Sequence, residues 1–143
     1  MTAIRSVCED VVFLLNPVID VLEKLKGDIN CRVNEMKILV GAYGTENFIL
    51  FAYLSMLRHK NGGEIAITVS VDVSDDFINI DSDVCENSGR IILDGPKLTE
   101  KFSDWPSSRA ACDVWLERFC SFLSENIDAI VDEARKLPDE GAE

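Results

Sequence analysis

Apolar and polar positions alternate along the chain with two different periods, and the change of period divides it into three stretches. Residues 3–26 place Ile4, Val7, Val11, Leu14 or Leu15, Val18, Val21 or Leu22, and Leu25 at alternating steps of three and four, which is one apolar stripe on an amphipathic helix. Pro17 interrupts the run, and Asn16 is a candidate cap for a second helix. The stripe keeps its phase across the proline, which favours one kinked helix, with Gly27 expected at its end.

From residue 33 to 95 the pattern becomes alternating. Segments 36–43, 47–58, 64–73, 76–84 and 90–94 are strand-like and are separated by Gly44-Thr45-Glu46, by Lys60-Asn61-Gly62-Gly63, by Ser74-Asp75 and by Glu86-Asn87-Ser88-Gly89. Short runs joined by such turns predict an antiparallel meander. Segment 47–58 is apolar throughout and suits a helix as well; its β neighbours and the Asn-Gly turn favour a strand. In 64–73 the isoleucines and valines at odd positions face one side, while Glu64, Ala66, Thr68, Ser70 and Asp72 face the other. In 76–84, Ile78 and Ile80 point inward and Asn79, Asp81 and Asp83 outward; in 90–94, Ile91 and Leu93 lie opposite Arg90, Ile92 and Asp94. Segments one and two are apolar on both faces and should lie under cover or under a partner.

Residues 96–106 read as an irregular connection. A long helix follows, capped by Ser107 or Ser108 and running to about 137, with Cys112, Trp115, Leu116, Phe119, Leu123, Ile127, Ile130, Ala134 and Leu137 at helical spacing. The expected fold is α+β: a five-stranded antiparallel meander sheet with an N-terminal kinked helix and a long C-terminal helix on one face. It forms a single domain over 1–138, with a frayed acidic tail at 139–143.

Charge changes this picture more than composition does. The 143 residues carry a formal net charge of −12, yet residues 1–60 hold seven basic and seven acidic side chains, so the whole excess lies beyond them. Between 64 and 94 eight acids face Arg90 alone. Such a chain is repelled by phosphate backbones, which argues against nucleic acid as a partner and for a basic protein. The apolar runs are too short to span a membrane. The N-terminal residues lack the pattern of a secretory signal. Five cysteines without a C-x-x-C spacing read as reduced thiols of a cytoplasmic protein.

Catalytic chemistry finds little support. His59 is the only histidine and sits between Arg58 and Lys60, where positive charge disfavours its protonated form. Asp81-Ser82-Asp83 starts like a calcium loop, but Glu86 stands at the glycine position and Ile92 at the terminal glutamate position. A different divalent site built from Asp72, Asp75, Asp76 and Asp81 is the metal alternative to a plain acidic surface, and the expectation is no cofactor and no metal. The aromatics Phe48, Phe51, Tyr53, Trp115, Phe119 and Phe122 read as core.

In size, in the acidic block 72–86 and in lacking a catalytic motif, the chain resembles in outline the small acidic immunity proteins of bacterial toxin–immunity systems, which neutralise a cognate toxin, often a nuclease with a basic cleft. The resemblance implies a non-enzymatic protein-binding module in which Asp72, Asp75, Asp76, Asp81, Asp83 and Glu86 occupy or shield the toxin's nucleic-acid site. Small acidic secretion chaperones, usually dimers with apolar grooves, share the same gross features, so monomer and homodimer both stay open. A small α+β enzyme or ligand-binding domain is the remaining class, and no residues stand out as its catalytic groups.

Overall fold

The computed structural model describes residues 2–33, 36–46, 49–57, 63–73, 77–101 and 105–137, with side chains from residue 15 onward in the first helix and from residue 109 in the last. The order is α1 (Thr2–Arg32), β1 (Lys37–Gly44), β2 (Ile49–Leu57), β3 (Glu64–Val73), β4 (Phe77–Glu86), β5 (Ile91–Asp94), β6 (Leu98–Lys101) and α2 (Trp105–Arg135). All strand pairings are antiparallel, and β1 to β5 follow in meander order. The α+β architecture read from the sequence is therefore present, with six strands in place of five.

The alternation explains why the sheet has one covered face. Ile65, Ile67, Val69, Val71 and Val73 of β3 are buried, as are Ile78, Ile80, Ser82 and Val84 of β4 and Ala52, Leu54 and Met56 of β2. They meet Leu15, Val18, Leu22, Leu25 and Ile29 of α1 and Trp115, Phe119, Leu123 and Ile130 of α2 in one core. Burying such side chains is worth about 1.5–3 kcal/mol each before chain entropy is charged against it. Trp115 and Phe119 stack there, with ring centroids 5.1 Å apart. Segment 49–57 is a strand, paired residue by residue with both β1 and β3.

Three boundaries and the facing of one strand differ from the sequence expectation. The first helix does not stop at Gly27. The glycine lies inside α1 because the apolar stripe continues through Ile29, which is fully buried, and on to the buried Val33 beyond the helix end. Pro17 lies inside the same helix, as the unbroken phase of the stripe predicts. The C-terminal helix begins at Trp105 ahead of Pro106, so Ser107 and Ser108 fall in its first turn and are not its cap. Leu98–Lys101, expected to be irregular, is a strand paired with the first half of β4, while β5 pairs with the second half. Ile91 lies opposite Cys85 on the helix-free face, and Ile92 and Leu93 are half-buried, because the register shifts between Val84 and Cys85. Segments 58–62, 74–76 and 138–143, which include His59 and the expected tail, lie outside the described residues.

Two polar devices lock the layers together. Pro96 lies in the turn between β5 and β6, and its carbonyl accepts a hydrogen bond from Ser82 Oγ at 2.7 Å and another from the Trp115 indole at 2.9 Å. That satisfies the buried Ser82 and ties the turn to α2. A Cβ on Gly95 would collide with Ser82, so the close approach requires glycine there. At the other end, the Arg135 guanidinium donates to the Arg32 carbonyl at 3.0 Å, closing the C-terminus of α1, while Arg32 reaches Asp128 at 2.6 Å.

Candidate protein-binding face

No described helix covers the second face of the sheet, and its residues come from the opposite parity of every strand. The register fixes who stands beside whom. One row crosses from Gly41 through Tyr53, Thr68 and Asp83 to Asp94; the next runs Tyr43, Phe51, Ser70, Asp81; a third runs Ile49, Asp72, Asn79, Thr99. The first two rows share one order: aromatic side chains on β2, small ones on β3 and carboxylates on β4. In the third, Asp72 on β3 brings the carboxylate one strand nearer the aliphatic Ile49.

The apolar side is an aromatic ridge. The rings of Tyr43 and Phe51 stack at 4.9 Å with 18° between their planes, and Tyr43 tilts against Tyr53 at 6.2 Å. Tyr53 leans over Gly41, where an added Cβ would stand 2.6 Å from its hydroxyl. The ridge faces solvent. Tyr43 is 55% exposed and Leu39 42%. Phe77 and Ile91 are further large apolar side chains exposed on this face. Phe51 and Tyr53 are half-buried here, which corrects their assignment to the core; Trp115 and Phe119 are core, and Phe48 lies outside the described residues.

The acidic side holds part of the expected cluster. Asp81 and Asp83 both project onto the open face, joined by Asp94, which pairs with Asp83, and by Asp72 on β3. Glu86 does not belong with them. It stands opposite Ile65, a core residue, and therefore takes the helix-bearing parity at the end of β4. There it is engaged by the Arg90 guanidinium at 3.0 and 3.1 Å and by the Ser88 hydroxyl at 2.6 Å, contacts that hold its carboxyl below the ordinary value. Asp75 and Asp76 lie outside the described residues. Among the described residues no three His, Cys, Asp or Glu side chains are grouped to hold a metal ion.

Asp83 is the group under most stress. Burial pushes its carboxyl above the ordinary range, the Cys85 thiol draws it down by hydrogen bonding, and the charges of Asp81 and Asp94 push it up again. Its Oδ1 is cut off from solvent and has no hydrogen-bond partner among the described residues. Lys97 supplies a cation from the adjoining turn, 2.9 Å from Asp81 and 4.0 Å from Asp94. Both ends of these bridges are more than half exposed, so each is worth about 0–1 kcal/mol and yields readily to a competitor.

Neither Cys85 nor Cys112 is tuned for nucleophilic work. Burial and the neighbouring Asp83 push Cys85 upward, and burial takes Cys112 to about 11, with Asp113 and Glu100 adding to it. A thiol so placed stays protonated at neutral pH.

Two shallow depressions mark the open face. One of about 400 Å³ is lined by Leu39, Tyr43, Phe51, Tyr53, Ala66 and Thr68, among others. The second, about 360 Å³, is lined by Ile49, Phe51, Ser70, Asp72, Asn79 and Asp81 with the turn residues Lys97 and Leu98. Phe51 is common to both, so they adjoin. Sequence reasoning found the acids through alternation and noted that segments one and two are apolar on both faces, but it assigned Phe51 and Tyr53 to the core; only the register sets Tyr53 and Phe51 beside the outward Thr68 and Ser70. No described helix is long and apolar enough to cross a membrane. The chain matches no family model, no curated protein and no solved structure.

Proposed function

We propose that the chain is a non-enzymatic protein-binding module whose open sheet face engages a cationic protein, in the manner of an immunity protein that neutralises a basic toxin. The observation that carries this reading is the adjacency of Asp81, Asp83 and Asp94 to an exposed aromatic ridge on one face that no described helix covers. Aromatic side chains contribute most of the energy of protein interfaces, while surrounding charge steers encounter and sets register. The elevated Cys85 and Cys112 thiols support binding over thiol catalysis, and thiols kept reduced suit a cytoplasmic protein.

The acids act by displacement. A lysine or arginine of the partner replaces Lys97 at Asp81 and adds positive charge beside Asp83, which Lys97 alone offsets only in part. In a nuclease target the same carboxylates would stand where substrate phosphates bind.

The test is association with a purified basic protein followed by stopped flow across a salt series. The on-rate should fall steeply with salt, and Asp81→Lys with Asp83→Lys should lower it about tenfold or more while circular dichroism stays unchanged. Adding Asp75→Lys and Asp76→Lys extends the series to the segment that links β3 to β4 in sequence. An on-rate indifferent to both salt and charge reversal would falsify the reading.

A further inference from the structure

We infer that the partner element received by this face is a single amphipathic helix, apolar on one flank and basic on the next, lying along β3. The inference rests on the protein-binding reading above and names the kind of structure that fits it.

The shape comes from side-chain size across the rows. Thr68 and Ser70 on β3 stand between Tyr53 and Phe51 on one side and Asp83 and Asp81 on the other, and Ala66 continues the row of small side chains between Ser55 and Cys85. With strands about 4.8 Å apart, the ridge on β2 and the carboxylates on β4 are roughly 10 Å from each other, close to the diameter of a helix with its side chains. The small-residue floor runs from Ala66 to Ser70, roughly 13 Å along β3, with Glu64 and Asp72 at its two ends.

Backbone chemistry separates a helix from an extended peptide. On this face the main-chain groups of β3 are already paired with β2 and β4, so an incoming strand finds no hydrogen-bond partner and would leave its own amides unpaired against aromatic rings. A helix satisfies its own backbone. An extended segment also sends successive side chains to opposite sides, whereas residues three and four apart on a helix form adjoining flanks. One flank can then rest on Leu39, Tyr43, Phe51 and Tyr53 while the next presents lysines or arginines to Asp81, Asp83 and Asp94. Charge decides against a second copy as occupant, since each chain carries −12 and brings like charge to the face.

The probe is a fluorescent Leu/Lys peptide of about 18 residues patterned as an amphipathic helix. It is compared with a peptide of the same composition patterned with period two and with oligolysine, using anisotropy at low salt. The helical peptide should bind at least about tenfold more tightly than the period-two peptide. Ser70→Phe, which fills the trough without changing charge, should weaken it by about tenfold and leave oligolysine unaffected. Tyr43→Ser, at an exposed ridge position, serves the same purpose should Ser70→Phe lower the melting temperature. Equal binding of both patterned peptides, or indifference to both substitutions, overturns the helix while leaving the acidic-face reading standing. Loss of salt-dependent oligolysine binding would not follow from Ser70→Phe under either reading; its absence already in the parent chain sinks the acidic face itself. A dimer by solution mass that Ser70→Phe dissociates also overturns the inference, because the face then belongs to a second copy.

Discussion

At the scale of single residues, Asp83 carries the sharpest conflict between burial and charge. Burial favours its protonated form, and the nearby Asp81 and Asp94 act in the same direction. The folded chain therefore holds more proton than the unfolded one between the ordinary carboxylate value and the raised one. Stability from this group is complete below the ordinary value and is lost as pH rises through the raised value. Asp83→Asn keeps a neutral group at every pH. It should melt at a higher temperature than the parent at neutral pH and at the same temperature below about pH 3.5, as thermal melts at the two pH values will show. An equal difference at both pH values would mean that the substitution acts through packing and not through charge. Glu86 lies only three residues away and carries the opposite shift, because Arg90 and Ser88 bind its ionised form.

At the scale of elements, alternation and helical spacing carried most of the fold. The inward and outward sets of β3 and β4 lie where the pattern puts them, and the stripes of both helices meet in one core. Signals that rest on one residue type were weaker. Gly27 reads as a helix end, yet a glycine within a helix costs only about 1 kcal/mol, less than the burial of Ile29 beyond it returns. β6 has one apolar residue, Leu98, two positions after Pro96, so nothing local announces a strand; it forms because β5 leaves the first half of β4 free to pair. The displaced Ile91 has a similar cause, a register shift that no periodicity contains. Gly27 offers a direct check. Its φ is not positive and no atom lies within 4 Å of an added Cβ, so Gly27→Ala should stabilise the chain by about 0.5–1 kcal/mol in denaturant unfolding. Destabilisation would mean that α1 ends at the glycine.

At the scale of the whole molecule, the sign of the charge and much of its division between faces were legible. Alternation sends Asp81, Asp83 and Asp94 outward and gives Glu86 the inward parity of Ile78 and Ile80; the register adds that Asp94 stands directly opposite Asp83. The apolar part of the same face responds to salt in the opposite sense from the acidic part. Raising ionic strength should weaken capture of a cationic partner and, by screening the −12 repulsion, allow contact between exposed ridges. Light scattering of the chain alone should therefore show a mass that is constant or rising with salt, never falling.

The pairing of β5 and β6 end to end along β4 has a further consequence, for how far such contact can spread. That margin of the sheet is split into two strands of four residues by a turn containing Pro96, whereas β1 offers an unbroken margin of eight residues on the far side. Backbone-to-backbone pairing with another chain is thus inviting on one side and interrupted on the other. Two molecules joined through β1 would turn their broken margins outward. Ribbon growth ends there, and the chain can join a sheet once without seeding a fibre.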